Sequence, residues 1–187
     1  MRLPSLIGPE GLDLLCKAAS NSPPGAIVEI GVYQGGSAIR LYEVAEKQGR
    51  TLYLYDTFQG HPHHDPTLDD HALGRFADAA TPERLQALMP NAVIVQGVFP
   101  QSLVLMEPVA FVHADGDLYQ TTRDVCEHMP RHMVVGGVLW FDDYSHPDTR
   151  GCRAAVDEAF PHRTVLPSGQ AVVHNVPVWL AHGDRSV

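Results

Sequence analysis

Short apolar runs alternate along this chain with segments whose apolar residues recur every three or four positions. Ala26–Ile30, Thr51–Tyr55, Ala92–Gln96, Val109–Ala114 and Val138–Phe141 are runs of strand length, and each is expected to be a buried strand. Between them the spacing turns helical. Ala38, Leu41, Tyr42 and Ala45 form one stripe, closed by Gly49. Leu85, Leu88 and Met89 form another, after the start signal Thr81-Pro82-Glu83. Leu118, Thr122, Val125, Cys126 and Met129 line one face of a helix expected over residues 118 to 131, and Cys152, Ala155, Val156, Ala159 and Phe160 stripe the next. Thr164–Leu166 and Ala171–His174, separated by Pro167-Ser168-Gly169, read as a closing antiparallel hairpin. Such alternation implies a doubly wound, mostly parallel α/β sheet covered on both faces. No repeat or linker interrupts it, so one domain over residues 1 to 187 is expected, with a long polar connection at 57 to 80 that has the length of a lid.

In sheets of this kind ligands bind beyond the carboxyl ends of the strands, and there the chain places Glu29, Asp56, Asp115 and Asp142. Two of these ends are acidic clusters. Val109–Ala114 runs into Asp115-Gly116-Asp117, and the run ending at Phe141 continues into Asp142-Asp143. A strand-helix-strand connection brings both ends to one edge. Bare carboxylates repel, so their convergence implies a bound cation, a shared proton, or both. Asp117 with Gln120 resembles a capping box and is read as a helix cap rather than a ligand. His113 shares a strand side with Asp115 and is either a general base or a buried structural group.

The first strand leads into a glycine turn, Glu29-Ile30-Gly31 followed by Gly35-Gly36-Ser37. Its spacing differs from the dinucleotide fingerprint, and the preceding carboxylate would repel a pyrophosphate. The turn suits a ligand with both an ammonium and a carboxylate, such as the methionine part of S-adenosylmethionine. Glu29, Gly31, Gly35 and Ser37 are the turn's candidate contacts, with Asp56 for ribose hydroxyls, Tyr33 and Phe58 packing nearby, and Gln96 reaching adenine. The plainer alternative is a set of turn glycines and strand-end polar residues without a ligand.

Composition narrows the partners. The net charge of -9, with Lys and Arg scattered, excludes nucleic acid as an expected partner. The apolar runs are too short for a membrane span or a signal peptide. The 3 cysteines show no paired spacing, so a reducing cytoplasm is the expected setting. Cys126 and Cys152 sit on apolar stripes and read as core. His61, His63, His64, Asp65, Asp69, Asp70 and His71 cluster in the 57–80 connection. A solvated lid is the favoured reading there and a zinc site the alternative.

On these residues the chain resembles the macrocin O-methyltransferases (the TylF group), class I S-adenosylmethionine-dependent enzymes acting on sugar hydroxyls of natural products. The matching segments are Ile27–Ser37, Tyr55–Gly60, Gly97–Leu103, Phe111–Asp124, Gly136–Tyr144 and Gly151–Asp157. The resemblance implies a Rossmann-like, seven-stranded methyltransferase sheet. It implies Mg²⁺ on Asp115, Asp142 and Asp143, and a small-molecule hydroxyl acceptor such as a sugar or other vicinal diol. Asp115 would also touch the cofactor and relay the acceptor's proton, and Tyr144, next to the acidic pair, reads either as lining the acceptor pocket or as core. The chain is shorter at its N-terminus than typical members, which makes completion of the pocket by a second copy an expectation. Two other classes compete: a non-catalytic S-adenosylmethionine-binding protein and a metal-dependent hydrolase.

Overall fold

The computed structural model describes residues 3–175. Helix α1 (Pro9–Asn21) precedes β1 (Ala26–Ile30), α2 (Gly36–Gln48), β2 (Leu52–Asp56), α3 (Pro82–Leu88) and β3 (Val93–Gln96). Then come β4 (Val109–Ala114), α4 (Tyr119–His128), β5 (Met133–Phe141), α5 (Arg150–Ala159), β6 (Thr164–Val165) and β7 (Ala171–His174). The strands form one 7-stranded sheet in the order β3-β2-β1-β4-β5-β7-β6. β3 through β5 are parallel, and β7 runs antiparallel to β5 and β6. The expected α/β class and the closing hairpin are both present. No helix among the described residues is long and apolar enough to cross a membrane.

The core splits by the period-two alternation of the strands. Ile27, Leu52, Leu54, Phe111 and Trp140 face the layer that holds Leu15, Leu41 and Leu85. Val28, Tyr53, Tyr55, Val112, Leu139 and Phe141 face the layer that holds Val125, Cys126, Cys152 and Val156. The two cysteines are therefore core, as expected, and burial pushes the Cys126 thiol up to about 12. Tyr144, one candidate for the acceptor pocket, also belongs to this core. Its hydroxyl donates to Asp157 at 2.8 Å and accepts from Arg163, which ties the 142–145 turn to the end of α5.

Several boundaries differ from the sequence reading. Helix α1 carries Leu12, Leu15 and Ala19 at helical spacing behind Pro9, a signal the strand-centred reading passes over. Helix α4 stops at His128, because Pro130 lacks an N–H and forces a tighter 3-10 turn over Met129–His132. Strand β5 starts five residues early, its extension accommodated by an irregular register opposite Val109–Phe111.

The turn after β1 shows why glycine is needed there. Gly31 has φ +92, and a Cβ on it would lie 1.9 Å from the Asp115 carbonyl oxygen. The close approach lets Asp115 N–H donate to the Ile30 carbonyl at 2.9 Å, so the ends of β1 and β4 interlock. Gly31→Ala combines a disfavoured φ with a backbone clash. It is expected to cost ~3 kcal/mol or more, measured by urea unfolding.

Candidate functional site

Beyond the carboxyl ends of β1, β2, β4 and β5 lies a cavity of about 480 Å³. Its wall includes Gly31, Tyr33, Ser37 and Asp56 from the glycine-turn side and Asp115, Asp117, Asp142 and Asp143 from the acidic side. The remainder comes from Pro4–Ile7, from Gly97–Phe99, and from the 57–80 segment through Gly60, His61, Pro62, His71, Arg75 and Phe76. Gly35, Phe58 and Gln96 are not among the lining residues. Gly35 caps α2 at φ 83 and packs toward Leu85 and Leu3. Phe58 packs on the α2 side of the core, and the Gln96 amide donates to the Thr57 carbonyl at 3.4 Å.

Asp56 organises the turn. One carboxylate oxygen accepts from the backbone N–H of Val32 at 2.7 Å and of Tyr33 at 2.9 Å. The other accepts from Phe58 N–H at 2.7 Å. Three backbone donors that the left-handed residues Tyr33 and Phe58 would otherwise leave unpaired are thus satisfied by one side chain. Free acceptor capacity remains on the second oxygen, at the cavity wall.

Glu29 and His113 occupy a different place from the one their chain positions suggest. Both are wholly buried, and neither lines the cavity. Glu29 follows Ile27 by two residues, so alternation turns it onto the α1–α2 face of the sheet instead of toward the glycine turn. There it is the register partner of His113, and His113 Nδ1 meets Glu29 Oε1 at 2.9 Å. His113 Nε2 points on toward Asp142 Oδ1, at 3.8 Å too far for a hydrogen bond, so this pair interacts through charge. Burial alone would lower the His113 pKa, but the Asp142 and Glu29 carboxylates override it and raise the pKa well above the usual value. His113 is thus buried behind Asp142, off the cavity wall.

Four carboxylates crowd the acidic side. Asp143 Oδ2 accepts from Asp117 N–H at 3.2 Å, which folds the two acidic turns together. Desolvation and the charges of neighbouring aspartates raise the pKa of Asp115 and of Asp143 well above the usual range. Burial would raise Asp142 too, but His113 and the Trp140 indole hold it below its ordinary value. Asp117 is likewise lowered, by His61 and His71 against its burial.

That last contact corrects the capping assignment. Helix α4 has Leu118 at its N-cap without a side-chain bond. Its first N–H, of Tyr119, is satisfied instead by Asp69 Oδ1 at 2.8 Å, from 50 residues upstream. Asp117 adopts φ 58 and lies 3.2 Å from His61 Nε2 and 3.8 Å from His71 Nδ1. The 57–80 segment is thus anchored at several points while many of its residues stay exposed to solvent. Asp69 is buried, Asp70 pairs with Arg150 at 2.9 Å, and the Tyr33 hydroxyl donates to Asp78 at 3.1 Å.

Comparison with known proteins agrees with this architecture. The family profile described as Macrocin-O-methyltransferase (TylF) matches residues 5–180. An 8-demethyl-8-(2,3-dimethoxy-alpha-L-rhamnosyl)-tetracenomycin-C 4'-O-methyltransferase of Streptomyces olivaceus is 30% identical over 155 residues, covering 72% of this chain and 58% of that protein. A mycinamicin III 3''-O-methyltransferase of Micromonospora griseorubida is 29% identical, covering 75% of this chain and 62% of that one. The chain thus spans about three fifths of the length of the curated relatives it matches. In fold it is similar to the O-methyltransferase NovP, with a TM-score of 0.78 and 23% identity over 92% of this chain and 82% of that one. It is also similar to a Bacillus cereus O-methyltransferase in complex with SAH, with a TM-score of 0.60 and 21% identity over 91% of this chain and 82% of that one.

Asp56→Ala removes the acceptor for three backbone N–H groups and is expected to cost ~2–4 kcal/mol in urea unfolding. Asp56→Asn keeps an amide oxygen for two of them, so a smaller loss is expected in the same measurement.

Proposed function

The chain belongs to the macrocin-O-methyltransferase (TylF) family, and from this premise we propose that it moves a methyl group from S-adenosylmethionine to a hydroxyl of a small molecule, a sugar or other vicinal diol. One observation carries this reading: a glycine turn and a cluster of carboxylates face each other across a single cavity. The turn side fits the donor, because Gly31 and Gly36 leave the backbone bare and Asp56 keeps acceptor capacity for ribose hydroxyls. Ser37 and the Tyr33 backbone lie beside it. The donor supplies an activated methyl group on a sulfonium centre.

The acidic side fits a hard divalent cation. Asp115, Asp142 and Asp143 offer oxygen donors only, and burial together with neighbouring aspartate charge raises the pKa of Asp115 and Asp143, a cost that a cation would relieve. When bound, Mg²⁺ would supply Lewis acidity and a template for two adjacent hydroxyls. Asp115 stands where β4 meets the glycine turn, between the two halves of the cavity, and is the group placed to take the acceptor's proton. His113, fixed by Glu29, keeps Asp142 ionised and oriented. Residues 57–80 act as the lid, covering the cavity through His61, Arg75 and Phe76 and excluding water from the acceptor side.

Calorimetry with S-adenosylmethionine, followed by turnover on a panel of glycosides with vicinal diols, tests the reading. Micromolar cofactor binding and methyl transfer are expected. Absence of both would overturn it, and binding without transfer would favour a non-catalytic role. Asp142→Ala is expected to lower turnover at least ~100-fold and to abolish its dependence on added Mg²⁺.

A pH effect follows from the same two aspartates. Their folded pKa values lie above the unfolded carboxylate value of about 4. At these two groups the folded, cation-free protein binds more protons than the unfolded chain, so their contribution to stability falls as pH rises from that value through the folded pKa values, while Asp142 and Asp117, held low, contribute in the opposite sense at lower pH. A cation displaces these protons, so its apparent affinity rises over the same interval. Thermal melts in chelator and in Mg²⁺ should diverge increasingly as pH is raised.

A further inference from the structure

Within the 57–80 segment alone, the histidines have no regular frame for a metal. The fold supplies one from outside. His61 and His71 converge on Asp117, and one ligand atom from each of the three lies within 4.8 Å of the others. We propose that His61, His71 and Asp117 form a binding site for a transition-metal ion of the Zn²⁺ class, separate from the Asp115, Asp142 and Asp143 cluster.

Distances carry the first part of the argument. A tetrahedral ion with bonds of about 2.0–2.1 Å sets its donor atoms ~3.4 Å apart. The two nitrogen–oxygen separations to Asp117 Oδ2 are 3.2 and 3.8 Å, on either side of that edge length. Orientation carries the second. His61 Nε2 and His71 Nδ1 are both buried without a hydrogen-bond partner, although the carboxylate is close by. His61 Nε2 is within reach of the oxygen but misaligned with it, and His71 Nδ1 stands beyond hydrogen-bond reach, so both nitrogens keep a lone pair or proton for another partner.

The rings are held in that pose. They stack at 5.7 Å between centroids with 13° between planes, and Phe76 abuts both edge-on. The His61 N–H donates to the Arg75 carbonyl at 3.0 Å and its carbonyl accepts from Gly74 N–H at 3.1 Å, and His64 contacts the His71 carbonyl at 2.9 Å. On the other side, Asp117 is fixed at φ 58 with its N–H on Asp143. Two imidazoles and one carboxylate favour zinc, copper or nickel over Mg²⁺, which prefers an all-oxygen shell. All three residues line the cavity, so a fourth position would open toward it. A bound ion would pin the segment over the acceptor side.

The test uses the full chain, stripped with chelator and titrated with Zn²⁺ in excess Mg²⁺. One Zn²⁺ per chain is expected, with a rise in Tm of about 5–10 °C at a hundredfold excess over Kd. His61→Ala and His71→Ala should each weaken binding at least ~30-fold, while His63→Ala and Asp142→Asn stay within about threefold. Matching far-UV circular dichroism and metal-free urea midpoints would show that the variants fold. Co²⁺ gives a second readout that needs no variant. Intense visible absorption reports a tetrahedral, nitrogen-containing site and supports the proposal. The weak spectrum of an octahedral all-oxygen site overturns it, as does Zn²⁺ binding that survives the double substitution of His61 and His71.

Discussion

The hydrogen bond between Glu29 and His113, 2.9 Å long and wholly buried in the middle of the sheet, is the constraint on which the site is built. Two titratable groups in a core are tolerable only when each neutralises the other, because an isolated ion there costs several kcal/mol. The pair is possible because β1 and β4 are in register at this level, with Glu29 opposite His113 and Trp140 next along. Fixing Nδ1 on Glu29 fixes where Nε2 points, and it points at Asp142. Asp142, gripped also by the Trp140 indole, is thereby held ionised at the strand end. Asp115 and Asp143 lie beside it, and burial first, then the charges of the neighbouring aspartates, raises their pKa values. A pair that never reaches the cavity thus helps to set the charge at its acidic edge.

Much of this was legible in the sequence. The strands are apolar runs, and parallel topology sends their carboxyl ends to one edge, so Asp56, Asp115, Asp142 and Asp143 were bound to meet around one space. The glycine turn was equally visible, since Gly31 sits where the backbones of β1 and β4 nearly touch. Placing Glu29 at the turn weighs proximity in the chain over alternation, and in the structure its side chain is buried against His113. Glu29 is two residues from Ile27 and shares its face, a fact as available in the sequence as the turn itself. His113 stands open between catalytic and structural roles in the sequence, and the register with Glu29 accounts for its burial.

What could not be read was the long-range part. The cap of α4 is Asp69 rather than the adjacent Asp117, because the 57–80 segment folds back over the helix start and delivers a buried carboxylate to an orphan N–H. A local window sees a capping box at Asp117 and has no means of weighing a competitor 50 residues away. Once displaced from the helix, Asp117 turns to His61 and His71, residues equally silent in a segment without periodicity. Tyr144 shows the reverse case. Its place after two acidic residues suggested the pocket, yet its ring is apolar enough to be drawn into the core while Asp157 and Arg163 satisfy its hydroxyl.

The two halves of the cavity are therefore built to different standards of rigidity. The glycine turn and Asp56 hang from strand ends through short backbone bonds. The wall opposite is largely the 57–80 segment, held at a few points of unequal strength. The Asp70–Arg150 pair is exposed and contributes little, about 0–1 kcal/mol. Asp69 is buried, and its loss would leave a helix N–H without a partner, so it is the stronger anchor. Between such points the residues that face the cavity, His61, Pro62, His71, Arg75 and Phe76, take no part in the sheet's core. Changes among them alter the shape and charge of the cavity without disturbing the strand ends. On the proposed function, the geometry of parallel strands would fix the donor side, and the choice of acceptor would fall to the segment that the strands do not determine.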